Sequence, residues 1–121
     1  PGGGWNDIRL NVWAGADPET LVPTRQLRMP IRDARGAGVS HRDGRFHTYT
    51  IEWRQESVRF LIDGVEQATV TDLVPKGTAE LHFGLRQVSW AGEAGWSGFR
   101  TMLVDWVAIE PLPSSPAVGK P

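Results

Sequence analysis

Residues 46–70 constrain the fold of this chain more tightly than any other stretch. Phe46-His47-Thr48-Tyr49-Thr50-Ile51-Glu52-Trp53 is rich in β-branched and aromatic side chains, which pack well on a pleated surface and favour a strand. Arg54-Gln55-Glu56-Ser57 reads as a turn, and Val58-Arg59-Phe60-Leu61-Ile62 as the strand that returns along the first. Asp63-Gly64 follows, a pair suited to the left-handed backbone of a two-residue hairpin, and Val65 to Val70 continues the meander. Three consecutive antiparallel strands therefore dictate a sheet, and a sheet needs a second layer to cover its apolar face.

The rest of the chain supplies candidates for that layer. Asp7 to Trp13 alternates, with Ile8, Leu10 and Val12 on one face and Asp7, Arg9, Asn11 and Trp13 on the other, the period of a half-buried strand. From Ala14 to Arg45 glycines and prolines interrupt every pattern, and at most one short strand fits, around Gln26 to Ile31. A long irregular stretch of this kind suits a binding loop. Leu81, Phe83 and Leu85 alternate with His82, Gly84 and Arg86, which predicts a further strand, and Thr101 to Glu110 predicts the last one. A glycine- and tryptophan-rich loop spans Gln87 to Gly98. Residues 1–110 thus form one domain, and 111–121, with four prolines, a tail or linker. No segment holds a helical period. The expected class is all-β, an antiparallel sandwich.

Charge and composition narrow the function. Thirteen basic against fourteen acidic residues give a net charge of −1, without the basic footprint expected of a nucleic-acid binder. No run of about 18 apolar residues suggests a membrane span, and no leader pattern is read in these residues. With no cysteine there is no disulfide framework or thiolate chemistry. The three histidines, at 41, 47 and 82, lack close metal-ligand spacing. A glycosidase needs two carboxylates, which on a strand must be two or four residues apart to share a face. Asp17 and Glu19 have Pro18 between them in a loop, Glu52 and Glu56 straddle a turn, and Asp63 with Glu66 spans a hairpin. The serines stand in no nucleophile-elbow context, and Gly2-Gly3-Gly4 lacks the Lys-Ser/Thr of a phosphate loop. These residues predict no catalytic site. Asp105 stands out in the apolar run Met102 to Ile109. Either it faces solvent, or it is buried and paired, with a hard cation such as Ca²⁺ a suitable partner.

The pair Phe46-His47-Thr48-Tyr49 and Trp53, followed by Asp63-Gly64, resembles the hairpin of glycoside hydrolase family 16, the β-jelly-roll endo-glucanases that include lichenases and laminarinases. Asp105-Trp106-Val107 is similar to the family's closing strand, and Pro75 to Leu85 with Trp90 to Gly98 to its proline-led strand and Trp/Gly loop. The resemblance covers about residues 7–110 in consistent order. It implies an antiparallel jelly-roll sandwich of the concanavalin A-like type, of which this chain corresponds to the C-terminal half. The family's acidic strand, Glu-x-Asp-x-Glu or Glu-x-Asp-x-x-Glu, has no counterpart here, so the chain alone is expected to be inactive. The resemblance further implies substrate contacts from Asn11 and Trp13 and from Trp96 in the loop, while on the proline-led strand Gly84 and Arg86 stand where some relatives have Asn and Trp, and Arg86 is the contact expected there. It places Asp105 as a ligand of a structural calcium, with no cofactor required for chemistry. The implied ligand is a β-glucan-type polysaccharide or oligosaccharide met outside the cell, and neither nucleic acid nor membrane is implied.

Six tryptophans admit two roles, as sugar-stacking platforms or as core residues beneath the long loop. Asn11 and Trp13 opposite Leu10 and Val12 make the polar-aromatic face a glycan-binding sandwich needs, and the resemblance favours that role. Half a sandwich would expose large apolar areas and unpaired edges. The chain is therefore expected to pair with a separate N-terminal half, to exchange segments with a second copy, or to be part of a longer polypeptide.

Overall fold

A computed structural model describes residues 7–14, 22–72, 74–84, 98–99 and 101–113. Five strands are formed: β1 (Asp7–Ala14), β2 (Val22–Pro30), β3 (Tyr49–Trp53), β4 (Val58–Ile62) and β5 (Val65–Val70). β1 and β2 form an antiparallel pair, and β3-β4-β5 an antiparallel three-stranded meander. Among the described residues the fold is all-β.

The expected hairpins form. Arg54 N–H donates to Ser57 O at 2.8 Å, closing the turn between β3 and β4. Asp63 and Gly64 both have positive φ, +51° and +77°. That mirror-image turn matches the right-handed twist of β4 and β5. Along β4, Val58, Phe60 and Ile62 are buried, and so is Leu61 on the opposite face.

The two sheets meet through side chains. Leu10 and Val12 of β1 pack in one cluster with Val58, Phe60, Val70 and Val74, with Ile8, Met29, Trp53 and Ala68 at its margin. Ile8, Leu10 and Val12 are the alternate set that the period of β1 assigns to the interior. Each side chain fully buried in such a core stabilises the fold by about 1.5–3 kcal/mol. Trp53 adds a polar tie, its Nε1–H donating to Pro75 O at 3.0 Å.

Four expectations are corrected. β2 runs for nine residues rather than the short strand around Gln26 to Ile31, because β1 pairs along its length from Asp7↔Pro30 to Ala14↔Val22. β3 starts at Tyr49, not Phe46. Thr48 N–H is instead taken by the Asp63 carboxylate and Thr48 O by Asp63 N–H, so a turn residue satisfies the backbone there. Residues 81–84 of the expected strand beginning at Leu81 are not in a strand, and Thr101 to Glu110 is not the last strand. Among the described residues neither segment has a neighbour to accept its backbone hydrogen bonds, and a strand pattern without a partner cannot form a ladder. Leu103, Trp106 and Ile109 are accordingly exposed.

Candidate functional site

The densest group of ionisable side chains gathers where the loop before β3 meets the β4–β5 turn. His47 lies between two carboxylates: Nδ1 is 2.7 Å from Asp63 Oδ2, and Nε2 is 2.9 Å from Asp43 Oδ1. Its side chain is 4% exposed. A carboxylate only accepts, so both ring nitrogens donate and the ring is an imidazolium. The hydrogen bond to Asp63 raises the His47 pKa above 6.5, burial opposes it, and the Asp43 contact adds to the rise.

Each carboxylate is tied further into the backbone. Asp43 Oδ1 accepts from Arg45 N–H at 2.9 Å, and this bond leads in holding Asp43 below the usual carboxylate value. Asp63 Oδ1 accepts from Thr48 N–H at 2.9 Å. For Asp63 burial pushes upward, but the bonds from His47 and Thr48 outweigh it and its pKa is lowered. Tyr49 sits alongside, its ring stacked on His41 at 5.7 Å and its hydroxyl hydrogen-bonded to His41 Nδ1. Burial raises the Tyr49 pKa, and the charges of Asp63 and Asp43 act in the same direction.

This arrangement is a clamp rather than an acid/base pair. A glycosidase acid needs a carboxyl whose pKa is raised so that it holds a proton near neutrality. Asp43 and Asp63 are both lowered, and each accepts from His47 and from a backbone N–H. His41, His47 and His82 lack metal-ligand spacing in the sequence, and the fold does not gather them. The three instead take different partners, His41 with Tyr49, His47 with the two aspartates, and His82 with Glu80 at 3.0 Å. The signal that could have identified the clamp was Asp43 four residues before His47, beside an Asp-Gly turn.

Several further acids act as turn and cross-strand groups. Glu52 accepts from Arg59 Nη1 at 3.2 Å between register partners on β3 and β4. Glu56 pairs with Lys76, and Glu66 with Thr69. Asp33 accepts from the N–H groups of Arg35 and Ala37 and shapes the loop after β2. An open depression of about 400 Å³ lies at the other end of β3, lined by Trp53, Arg54, Glu56, Leu112 and Pro113 among others.

Of the residues expected to contact substrate, Asn11 and Trp13 are on β1, at the positions alternating with Leu10 and Val12. Asn11 is opposite Gln26, and a bulge between Val12 and Trp13 sets Trp13 opposite Pro23. Arg86 and Trp96 lie outside the described residues. Asp105 is exposed in the segment 101–110. Ca²⁺ takes about six to eight oxygen ligands, and Asp105 brings one carboxylate. Among the described residues no group of three or more His, Asp or Glu could hold a metal. The described site residues thus do not by themselves form a calcium cage.

The family model described as glycosyl hydrolases family 16 matches residues 7–108, from the start of β1 through most of the segment 101–110. No curated protein and no solved structure matches the chain.

Proposed function

This chain belongs to glycosyl hydrolase family 16, and from that premise we propose that it is part of a domain acting on a β-glucan-type polysaccharide. In an intact domain of this type the reaction is retaining. One carboxylate forms a glycosyl-enzyme intermediate while a second serves as acid and then as base. We assign neither role to this chain, because its acids lack the alternating pattern and Asp43 and Asp63 are held ionised by His47. The family match across 7–108 carries the reading.

In this proposal Asn11, Trp13, Arg86 and Trp96 contact the glycan. Tryptophan faces cover sugar C–H groups while the amide and guanidinium bond hydroxyls, the usual division of labour in a ligand groove. Asp105 supplies one oxygen to a structural calcium whose other ligands come from elsewhere. The protein works outside the cell, where such polysaccharides are met. A separate N-terminal half or a second copy completes the sandwich, a reading supported by the exposure of Leu103, Trp106 and Ile109.

A second reading, glycan binding without cleavage, is favoured by the clamp that ties Asp43 and Asp63 to His47. The two are separated by measuring reducing-sugar release from mixed-linkage and β-1,3-glucan together with tryptophan fluorescence during titration with the oligosaccharides. Binding without release is expected for the chain alone. Trp13→Ala is expected to weaken binding about tenfold, the loss of one stacking contact. No fluorescence change with either glucan, at millimolar oligosaccharide, would overturn the glycan reading.

A further inference from the structure

Cationic residues gather at one end of the β1–β2 pair. Arg9 of β1 is the direct register partner of Arg28 of β2. Like charges set opposite each other destabilise a strand pair. Beyond Arg28 the alternation of β2 continues past its last residue. Met29 packs against the core and Ile31 is fully buried, while Pro30 and Arg32 are exposed. Arg28 and Arg32 therefore belong to one row, on the face away from Leu10 and Val12. Arg35 is exposed three residues further on.

The turn that carries Arg32 and Arg35 is fixed through its backbone. Val39 N–H donates to Ile31 O at 3.0 Å, Asp33 N–H to Ala37 O at 2.9 Å, and Gly36 N–H to Asp33 O at 3.0 Å. The Gln67 amide of β5 accepts from Arg32 N–H at 3.1 Å and donates to Arg32 O at 2.8 Å. The acids at this end are Asp7, opposite Pro30, and Asp33. Asp33 Oδ1 already accepts from the N–H groups of Arg35 and Ala37. Four arginines thus stand against two acids, on a chain whose other residues comprise twelve acids and nine bases.

We propose that Arg9, Arg28, Arg32 and Arg35 bind an acidic substituent, a carboxylate or a sulfate ester, of the glycan that Asn11 and Trp13 contact. Arg9, Asn11 and Trp13 occupy alternate positions of β1, so a sugar chain laid over Trp13 and Asn11 reaches Arg9 after about 13 Å. A guanidinium presents its donors as a planar fork that meets two oxygens of one anion. An anion held between Arg9 and Arg28 converts their repulsion into two attractive contacts. The turn bearing Arg32 and Arg35 is already ordered, which lowers the cost of binding.

A nucleic acid, charged at every residue, is the poorer fit, because the rest of the chain is negative in sum and repels it. A glycan with scattered acidic groups places its charge at this end and its neutral rings elsewhere. The inference rests on the glycan reading and adds the charge of the substituent to it.

The test titrates the chain, by calorimetry at neutral pH, with one β-1,3-glucan oligosaccharide in neutral, carboxymethylated and sulfated forms. At least one acidic form is expected to bind about tenfold more tightly than the neutral one at about 0.05 M salt, and the stronger of the two names the substituent. That ratio is expected to fall toward one at about 0.5 M salt, where exposed charges are screened. Arg32→Gln combined with Arg35→Gln is expected to reduce it to about twofold with the native far-ultraviolet spectrum, whereas lysine at both positions retains most of it. Equal affinity for the three forms overturns the proposal and leaves the glycan reading standing. A preference unchanged by the double glutamine substitution overturns it too, as does equally tight binding of a DNA duplex of matching charge. Failure of all three forms to bind overturns both.

Discussion

At the scale of single residues, His47 between Asp43 and Asp63 makes stability depend on pH in both directions. The imidazolium binds its proton more tightly in the fold than in the unfolded chain. Its contribution is therefore complete below about pH 6.5 and is lost as pH rises through the higher native value. The two aspartates are held below 3.8, so their contribution is complete above that value and is lost as pH falls through the lower native ones. Thermal unfolding followed by circular dichroism is expected to show a plateau from about pH 4 to 6.5 and a decline above it. His47→Gln should remove the alkaline decline. An unchanged slope in that variant would mean that the clamp does not set it. The sequence displayed the ingredients of this clamp, but Asp63 is sixteen positions from His47 and only the folded turn brings it within 2.7 Å.

At the scale of elements, the β4–β5 hairpin is the most legible part of the molecule, since its Asp-Gly turn and alternating flanks dictate each other. Gly64 has φ +77° and open space around the position a Cβ would take. Gly64→Ala therefore meets no clash, and its cost is that of a left-handed backbone at a residue with a side chain, about 1–2 kcal/mol. Urea unfolding is expected to show that loss with an unchanged slope. The other elements were harder to read because a strand is stable only beside a neighbour. β2 lies in a stretch broken by Pro23 and Pro30, yet pairing with β1 carries it through. Thr101 to Glu110 has the better strand composition but forms no ladder among the described residues. Local propensity ranked these two segments in the wrong order.

At the scale of the whole molecule, a two-stranded layer covers β4 and β5 better than it covers β3. Large apolar side chains remain outside the core: Leu103 is 74% exposed, Trp106 63% and Ile109 82%. Large exposed apolar side chains brought together in one patch mark an interaction site or an aggregation hazard. An anilinonaphthalene dye is expected to bind the native chain, and brief proteolysis to cut within 101–110 before the five strands unfold. Resistance of that segment would show that it is covered in solution. Among the described residues no second layer covers β3, and these side chains are left outside the core.

What the sequence determined by itself was local. Period-two alternation, turn chemistry and the motif from Phe46 to Gly64 specified strands, hairpins and membership of the family, because each depends on residues close together in the chain. The tertiary structure alone decided which carboxylates close on His47, that Trp53 packs at the margin of the core, and that β2 is carried the length of β1. Those outcomes depend on contacts between residues far apart in sequence, and no local pattern encodes the partner that a strand edge or a buried charge will find.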